Sequence, residues 1–201
     1  ILISLSTGVV VSIFGLLISY LLVINHKNFL LQQLLFLTSS MILIISPIIF
    51  SLGYFIFFQP IIHYSYLNLF LVILINVIFL LPFAILIFFN NLKNLYLNFN
   101  DFRKTYRIEL FSYTKIIFPL LKNNFLYVFS FSTVITLGDF TIISFFRSEN
   151  FETLPSYLFK LISTYQFNEA SFVAGTILVL SMIIYFFIDN LNYQGRPDIT
   201  T

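Results

Sequence analysis

There is no cysteine in these 201 residues. Disulfides, thiolate metal sites and a cysteine nucleophile are therefore excluded. Charge is nearly as scarce. Asp, Glu, Lys and Arg make up 9% of the chain, against about 25% in an ordinary soluble domain. So few charges cannot cover a surface that faces water, and the chain cannot fold as a soluble domain. A net charge of +2 leaves no nucleic-acid footprint. The histidines, His26 and His63, are isolated and form no metal site. There is no Gly-rich phosphate loop with its Lys and Ser/Thr, and no catalytic set; no cofactor is implied. The chain opens on Ile1, inside an apolar run. It lacks the basic start and short apolar core of a secretory signal, and Ile1 reads as a boundary inside a longer protein.

Apolar residues are what the chain has. They make up 59% of it, including 28 Phe, and the mean hydropathy is +0.98. Lipid is the solvent that suits such a composition, and a membrane span needs about 20 mostly apolar residues. The first such run covers Ile1 to Ile24 and ends at Asn25-His26-Lys27-Asn28. The second covers about Leu34 to Phe58, with Ser46-Pro47 inside it. The third covers about Tyr66 to Phe89, with Pro82 inside it. The fourth, about Ile116 to Phe146, is too long for one straight crossing and predicts tilt or a break near Gly138. Within 147–170, Leu154-Pro155 opens a short or re-entrant helix over Tyr157 to Tyr165. The fifth span covers about Ser171 to Ile188, and a polar, loose tail follows from Asp189. The fold class is thus all-α and integral to the membrane, with about five transmembrane helices. Residues 1–189 form the membrane domain and 190–201 a tail.

Residues 90–115 differ in kind. They carry Lys93, Asp101, Arg103, Lys104, Arg107, Glu109 and Lys115. Leu92, Leu95, Tyr96, Phe99, Phe102 and Tyr106 recur at helical spacing, which predicts an amphipathic helix outside the hydrocarbon. It either rests on the headgroups or docks on a partner. With five spans, the loops after the first and third spans and the C-terminus share one side. That side holds Lys27, Lys93, Arg103, Lys104, Arg107, Lys115, Lys122 and Arg196; the other holds Arg147 and Lys160. The imbalance places the charged loop and the C-terminus in the cytoplasm.

Polar residues inside spans are the remaining candidates. Asn76 lies mid-span, where it either bonds a neighbouring helix or meets a ligand. Ser132, Thr136 and Asp139 are spaced to share one helix face, and an ionisable residue in a span is a functional candidate by default. That stripe either lines a translocation path, with Asp139 attracting a cation, or ends at the outer interface with Asp139 paired to Arg147. Pro47 and Pro82 either kink their helices or belong to a motif.

Four segments carry a resemblance. The charged loop ends in Ile116, Phe118 and Pro119, and in this it resembles the permease subunits of binding-protein-dependent ABC importers. Their coupling loop carries E-A-A, then a glycine, then I-x-L-P. Aligning Pro119 on the last position places Asn100-Asp101-Phe102 on the E-A-A and Tyr106 on the glycine. Asn76 through Pro82-Phe83-Ala84 is similar to the N-x-x-x-x-L-P-F-A of thiamine importer permeases. Ser46-Pro47 with Gly53 is similar to their small-Pro…Gly pattern. Leu137-Gly138-Asp139-Phe140, followed by Thr153-Leu154-Pro155-x-Tyr157-Leu158, resembles their S-L-G-D-F and T-L-P segments. The likeness runs over the whole chain but only the C-terminal half of such a permease.

The resemblance implies a bacterial inner-membrane permease subunit that is not itself catalytic. It implies an ABC ATPase partner docking on a coupling loop of about 90–119, through Phe99, Asn100, Asp101, Phe102, Tyr106, Ile116, Phe118 and Pro119. A periplasmic substrate-binding protein and a second permease half or protomer complete it. Asn76, Ser132, Thr136 and Asp139 are then path candidates, and Pro47, Pro82, Gly138 and Phe140 structural motif positions. Thiamine is the cargo implied. An iron(III) or other small-ligand permease keeps the mechanism with another cargo, and a membrane scaffold without a pore fits composition and topology equally.

Overall fold

A computed structural model describes residues 1–24, 33, 37, 44–59, 65–106, 120–146 and 152–193, with side chains left out at 65, 66, 96–106, 189 and 191–193. The helices among them are α1 (Leu2–Ile24), α2 (Pro47–Phe58), α3 (Ser65–Tyr106), α4 (Lys122–Gly138), α5 (Thr141–Phe146), α6 (Leu154–Ser163) and α7 (Phe167–Tyr193). No strand occurs among the described residues. In lipid a spanning backbone must satisfy its own hydrogen bonds, and helices do so within one segment.

The centre of the molecule is α1, packed along α3 and α4. Lipid tails are as apolar as leucine, so helices in a membrane associate by close packing and hydrogen bonds rather than by escape from water. The buried face of α1 is accordingly small and polar: Ser4, Thr7, Ser12 and Ser19 are all buried with Val11. Two glycines let the backbones approach. A Cβ on Gly15 would stand 2.6 Å from the Cβ of Ala84 in α3, and one on Gly8 would collide with the Thr133 methyl of α4. Ser19 Oγ donates across the α1–α3 interface to the Ile85 carbonyl at 3.2 Å.

Contacts fix the helix directions. Ile3 packs with Val72 and Ile75, Gly15 meets Ala84, and Val23 clusters with Leu92; α1 and α3 are parallel. Gly8 meets Thr133 while Leu121 shares the cluster of Val23 and Leu92, so α4 runs the opposite way. Phe50 of α2 lies 6.0 Å from Phe79, and Phe58 packs with the Leu71–Ile75 end of α3. Thus α2 is antiparallel to α3. The order is out, back, out, back, as expected of consecutive spans.

Among the described residues three helices are long and apolar enough to cross a membrane by length and composition: Leu2–Val23, Leu67–Leu95 and Phe167–Ile188. The second expected span is described mainly as the shorter apolar helix α2. The fourth is divided, because α4 stops at Gly138 and α5 starts at Thr141; the expected break is there. Several details differ from expectation. Pro47 does not kink a helix. It opens α2 after Ser46 (φ −59°, ψ 134°), where its missing N–H costs nothing. The helix expected over Tyr157 to Tyr165 spans Leu154–Ser163, because Thr153 and Ser156 close a capping box: Thr153 N–H donates to Ser156 Oγ at 2.8 Å and Ser156 N–H to Thr153 Oγ1 at 3.5 Å. The turn after it holds Tyr165, which takes the left-handed φ of 61°. The last helix runs on to Tyr193 rather than loosening at Asp189.

The charged segment also differs. No break separates it from the third span. Helix α3 passes through Pro82 and continues to Tyr106 over 42 residues, about 63 Å at 1.5 Å per residue. The hydrocarbon core is only about 30 Å thick. Tyr106, at the position where the resembled pattern has its flexible glycine, is the last described residue of α3.

Candidate functional site

The described structure offers two places for function: the far end of α3, and the α4–α5 break with the cavities beside it.

The first is positioned by α3 itself. Residues 99–102 and Tyr106 lie on its backbone beyond the span; their side chains, and all of Ile116, Phe118 and Pro119, lie outside the described ones. Lys93 is exposed and stands 6.0 Å over the Phe89 ring.

At the second place α4 ends with Asp139 in extended backbone (φ −75°, ψ 116°). Asp139 therefore does not continue the helical face of Ser132 and Thr136, as spacing had implied. Its Oδ1 accepts from the Thr141 N–H at 3.0 Å and the Thr141 hydroxyl at 2.6 Å. Arg147, its alternative partner, lies outside the described residues, as do His26 and His63. Phe140 stacks on Phe159 of α6 with centroids 4.7 Å apart at 27°.

Two cavities flank the break. One, of about 510 Å³, is bounded by Ser4 of α1, Thr136 of α4, Ile143 of α5, and Glu152, Thr153 and Tyr157 at the start of α6. Two of its hydroxyls are already engaged: Ser4 donates to Ile1 O at 2.8 Å and Thr136 to Ser132 O at 2.8 Å. Glu152 pairs with Lys160 at 3.0 Å. The other, of about 330 Å³, is apolar and lies between Gly138, Phe140, Phe159 and Ala174.

Of the path candidates, Thr136 reaches a cavity wall. Ser132 is buried. Asn76 is buried too, and its Nδ2 donates at 3.0 Å to the Val72 carbonyl of its own helix, not to a neighbour. Pro82 is buried inside α3. Gly138 has open space where a Cβ would project. Sequence reasoning missed Asn68, whose Oδ1 is buried with no partner among the described residues. It sits two turns before Asn76 on the same face, and that spacing was the available signal. Among the described residues no group of three or more His, Cys, Asp or Glu gathers to hold a metal.

Parallel and antiparallel apolar helices around a small-residue helix, with a broken fourth span, define a multi-pass helical membrane protein. The comparisons name the relatives. The chain is 26% identical over 167 residues to the thiamine transport system permease protein ThiP of Escherichia coli, covering 83% of this chain and 31% of that protein. To the protein of the same name from Haemophilus influenzae it is 27% identical over 180 residues, covering 85% and 31%. The Salmonella typhimurium protein is 26% identical over 160 residues, covering 79% and 30%. The chain thus spans about a third of the length of the curated relatives it matches, and it is similar to thiamine transport permeases over most of its own length. No family model matches it, and no solved structure matches it.

Proposed function

We propose that this chain is part of the permease subunit of an ABC importer of the bacterial inner membrane, and that its cargo is thiamine. The observation that carries the mechanism is the length of α3. A helix of 42 residues is about twice as long as the hydrocarbon is thick. Being continuous with the third span, its charged end cannot lie flat on the headgroups; it projects. Val23, Leu92 and Leu121 cluster at the same end of the bundle, beside Lys93 and Lys122, and the positive-inside rule makes that end cytoplasmic.

The projecting arm is the ATPase handle. An apolar stripe through Phe99 and Phe102 buries in a separate ATPase chain, with Asn100 and Asp101 alongside. Residues 107–119, with Ile116, Phe118 and Pro119, return the chain to α4. Nucleotide-driven closure of the ATPase then pulls on α3, which is welded to α1 along its length, so the bundle rocks as a unit. A periplasmic binding protein delivers cargo to the opposite end, and a second permease half supplies the other wall of the path. Thr136, on the larger cavity, is the path residue of this half.

The test is uptake by proteoliposomes holding the full-length protein, its ATPase and its binding protein. ATP-dependent thiamine uptake, abolished by Phe102→Asp while insertion survives, is expected. Uptake of iron(III) instead would change the cargo and keep the mechanism. Uptake of neither, by correctly inserted protein, would leave a membrane scaffold.

A further inference from the structure

The carboxylate in the α4–α5 break has a geometry that argues against contact with cargo. Oδ1 of Asp139 is occupied twice, by the N–H and the hydroxyl of Thr141 at 3.0 and 2.6 Å. The Asp139 N–H donates back to the Thr136 carbonyl at 3.3 Å, and the Phe140 carbonyl accepts the Ser144 N–H at 2.9 Å. One side-chain oxygen therefore ties the last turn of α4 to the first turn of α5. Phe140 is held between them with its ring on Phe159. Phe140 and Phe159 border the cavity of about 330 Å³, whereas Asp139 borders neither cavity. Its second oxygen, Oδ2, is buried and has no hydrogen-bond partner among the described residues. A carboxylate that attracts a cation must present an oxygen to the space the cation enters.

We propose that Asp139 is a positioning residue: through Thr141 it fixes the break between α4 and α5, and so seats Phe140 on Phe159 and joins the fourth span to α6. The role needs an acceptor oxygen, not a charge, so asparagine fills it. What this does to transport rests on the importer function proposed above; the geometry does not.

The experiment uses the full-length protein with Gly138→Cys and Ala174→Cys, both on the wall of the smaller cavity. This chain has no cysteine of its own, any elsewhere are replaced, and a Cβ at Gly138 meets nothing within 4 Å. A short bifunctional thiol reagent reads how firmly the break is seated. Asp139→Asn is expected to crosslink like the parent, and Asp139→Ala about tenfold less, the worth of two ordinary hydrogen bonds. If Asp139→Ala does not reach the membrane, Thr141→Val, which removes only the hydroxyl donor, is expected to lower crosslinking about threefold. Parental crosslinking in whichever of these variants is read, or a loss in Asp139→Asn as large as in Asp139→Ala, would overturn the proposal. So would a rise of about tenfold in the KM for thiamine in Asp139→Asn, the mark of a lost cation partner. A parent that transports nothing would sink the importer function alone, since the crosslinking ratios still decide the role of Asp139.

Discussion

Helices α1 and α7 are both long and apolar enough to span a membrane, yet they are built for different neighbours. Over its most apolar stretch α1 is 39% buried, and α7 only 6%. The buried side of α1 carries Gly8, Ser12, Gly15 and Ser19, residues small enough to bring backbones together. In α7 the outward residues are Phe172, Leu178, Met182, Ile183, Phe186 and Phe187, all large and exposed, and a Cβ on Gly175 would meet nothing. Two runs of similar hydropathy thus differ in what covers them. Between protein neighbours, closeness counts and side chains shrink. Where the chain supplies no neighbour, bulk is tolerated.

The comparison breaks most sharply at the glycines. Gly15→Leu must push α1 off Ala84, and overpacking of this kind costs about 1–3 kcal/mol or more. Gly175→Leu is expected to cost less than about 0.5 kcal/mol, as surface changes do. Thermal unfolding in detergent, with both variants beside the parent, measures the gap; equal losses would erase the distinction. Ser19→Ala comes next. It removes the bond to Ile85 and should lower stability by about 0.6 kcal/mol, the average for such bonds between membrane helices. Asn76→Leu should cost less than about 1 kcal/mol, because the bond it loses lies within α3. A larger loss would show that Asn76 holds a second helix. The smallest effect is a gain. Tyr165 is exposed and left-handed, and Tyr165→Gly should stabilise by up to about 1 kcal/mol, since glycine takes that φ freely.

Much of this was legible in the sequence. Long apolar runs gave α1, the span within α3 and α7, because lipid demands them. The excess length of the fourth run gave its break, and Thr153 with Leu154-Pro155 marked the start of α6. The details that misled share a cause. Spacing put Asp139 on the face of Thr136 only if the helix continued, and it ends one residue earlier, with the Asp139 side chain turned to Thr141. Pro47 looked internal to a span because apolar residues surround it on both sides, though proline suits a first turn equally well. A separate amphipathic helix was expected after Phe89, detached from the span because charge begins there. Yet charge ends a span without ending a helix, and Leu92, Leu95 and Phe99 keep the helical period through the change of solvent. The small, polar face of α1 was written in Ser4, Gly8, Ser12 and Gly15, but hydropathy alone does not reveal it.

The arm proposed at the far end of α3 is the central claim, and a single cysteine reads it most directly. Phe102→Cys, placed in the full-length protein with any cysteine outside this chain replaced and expressed with the cell's ABC ATPases, is expected to crosslink specifically to one ATPase subunit from the cytoplasmic side. Correctly inserted protein that gives no ATPase adduct at this position would contradict it.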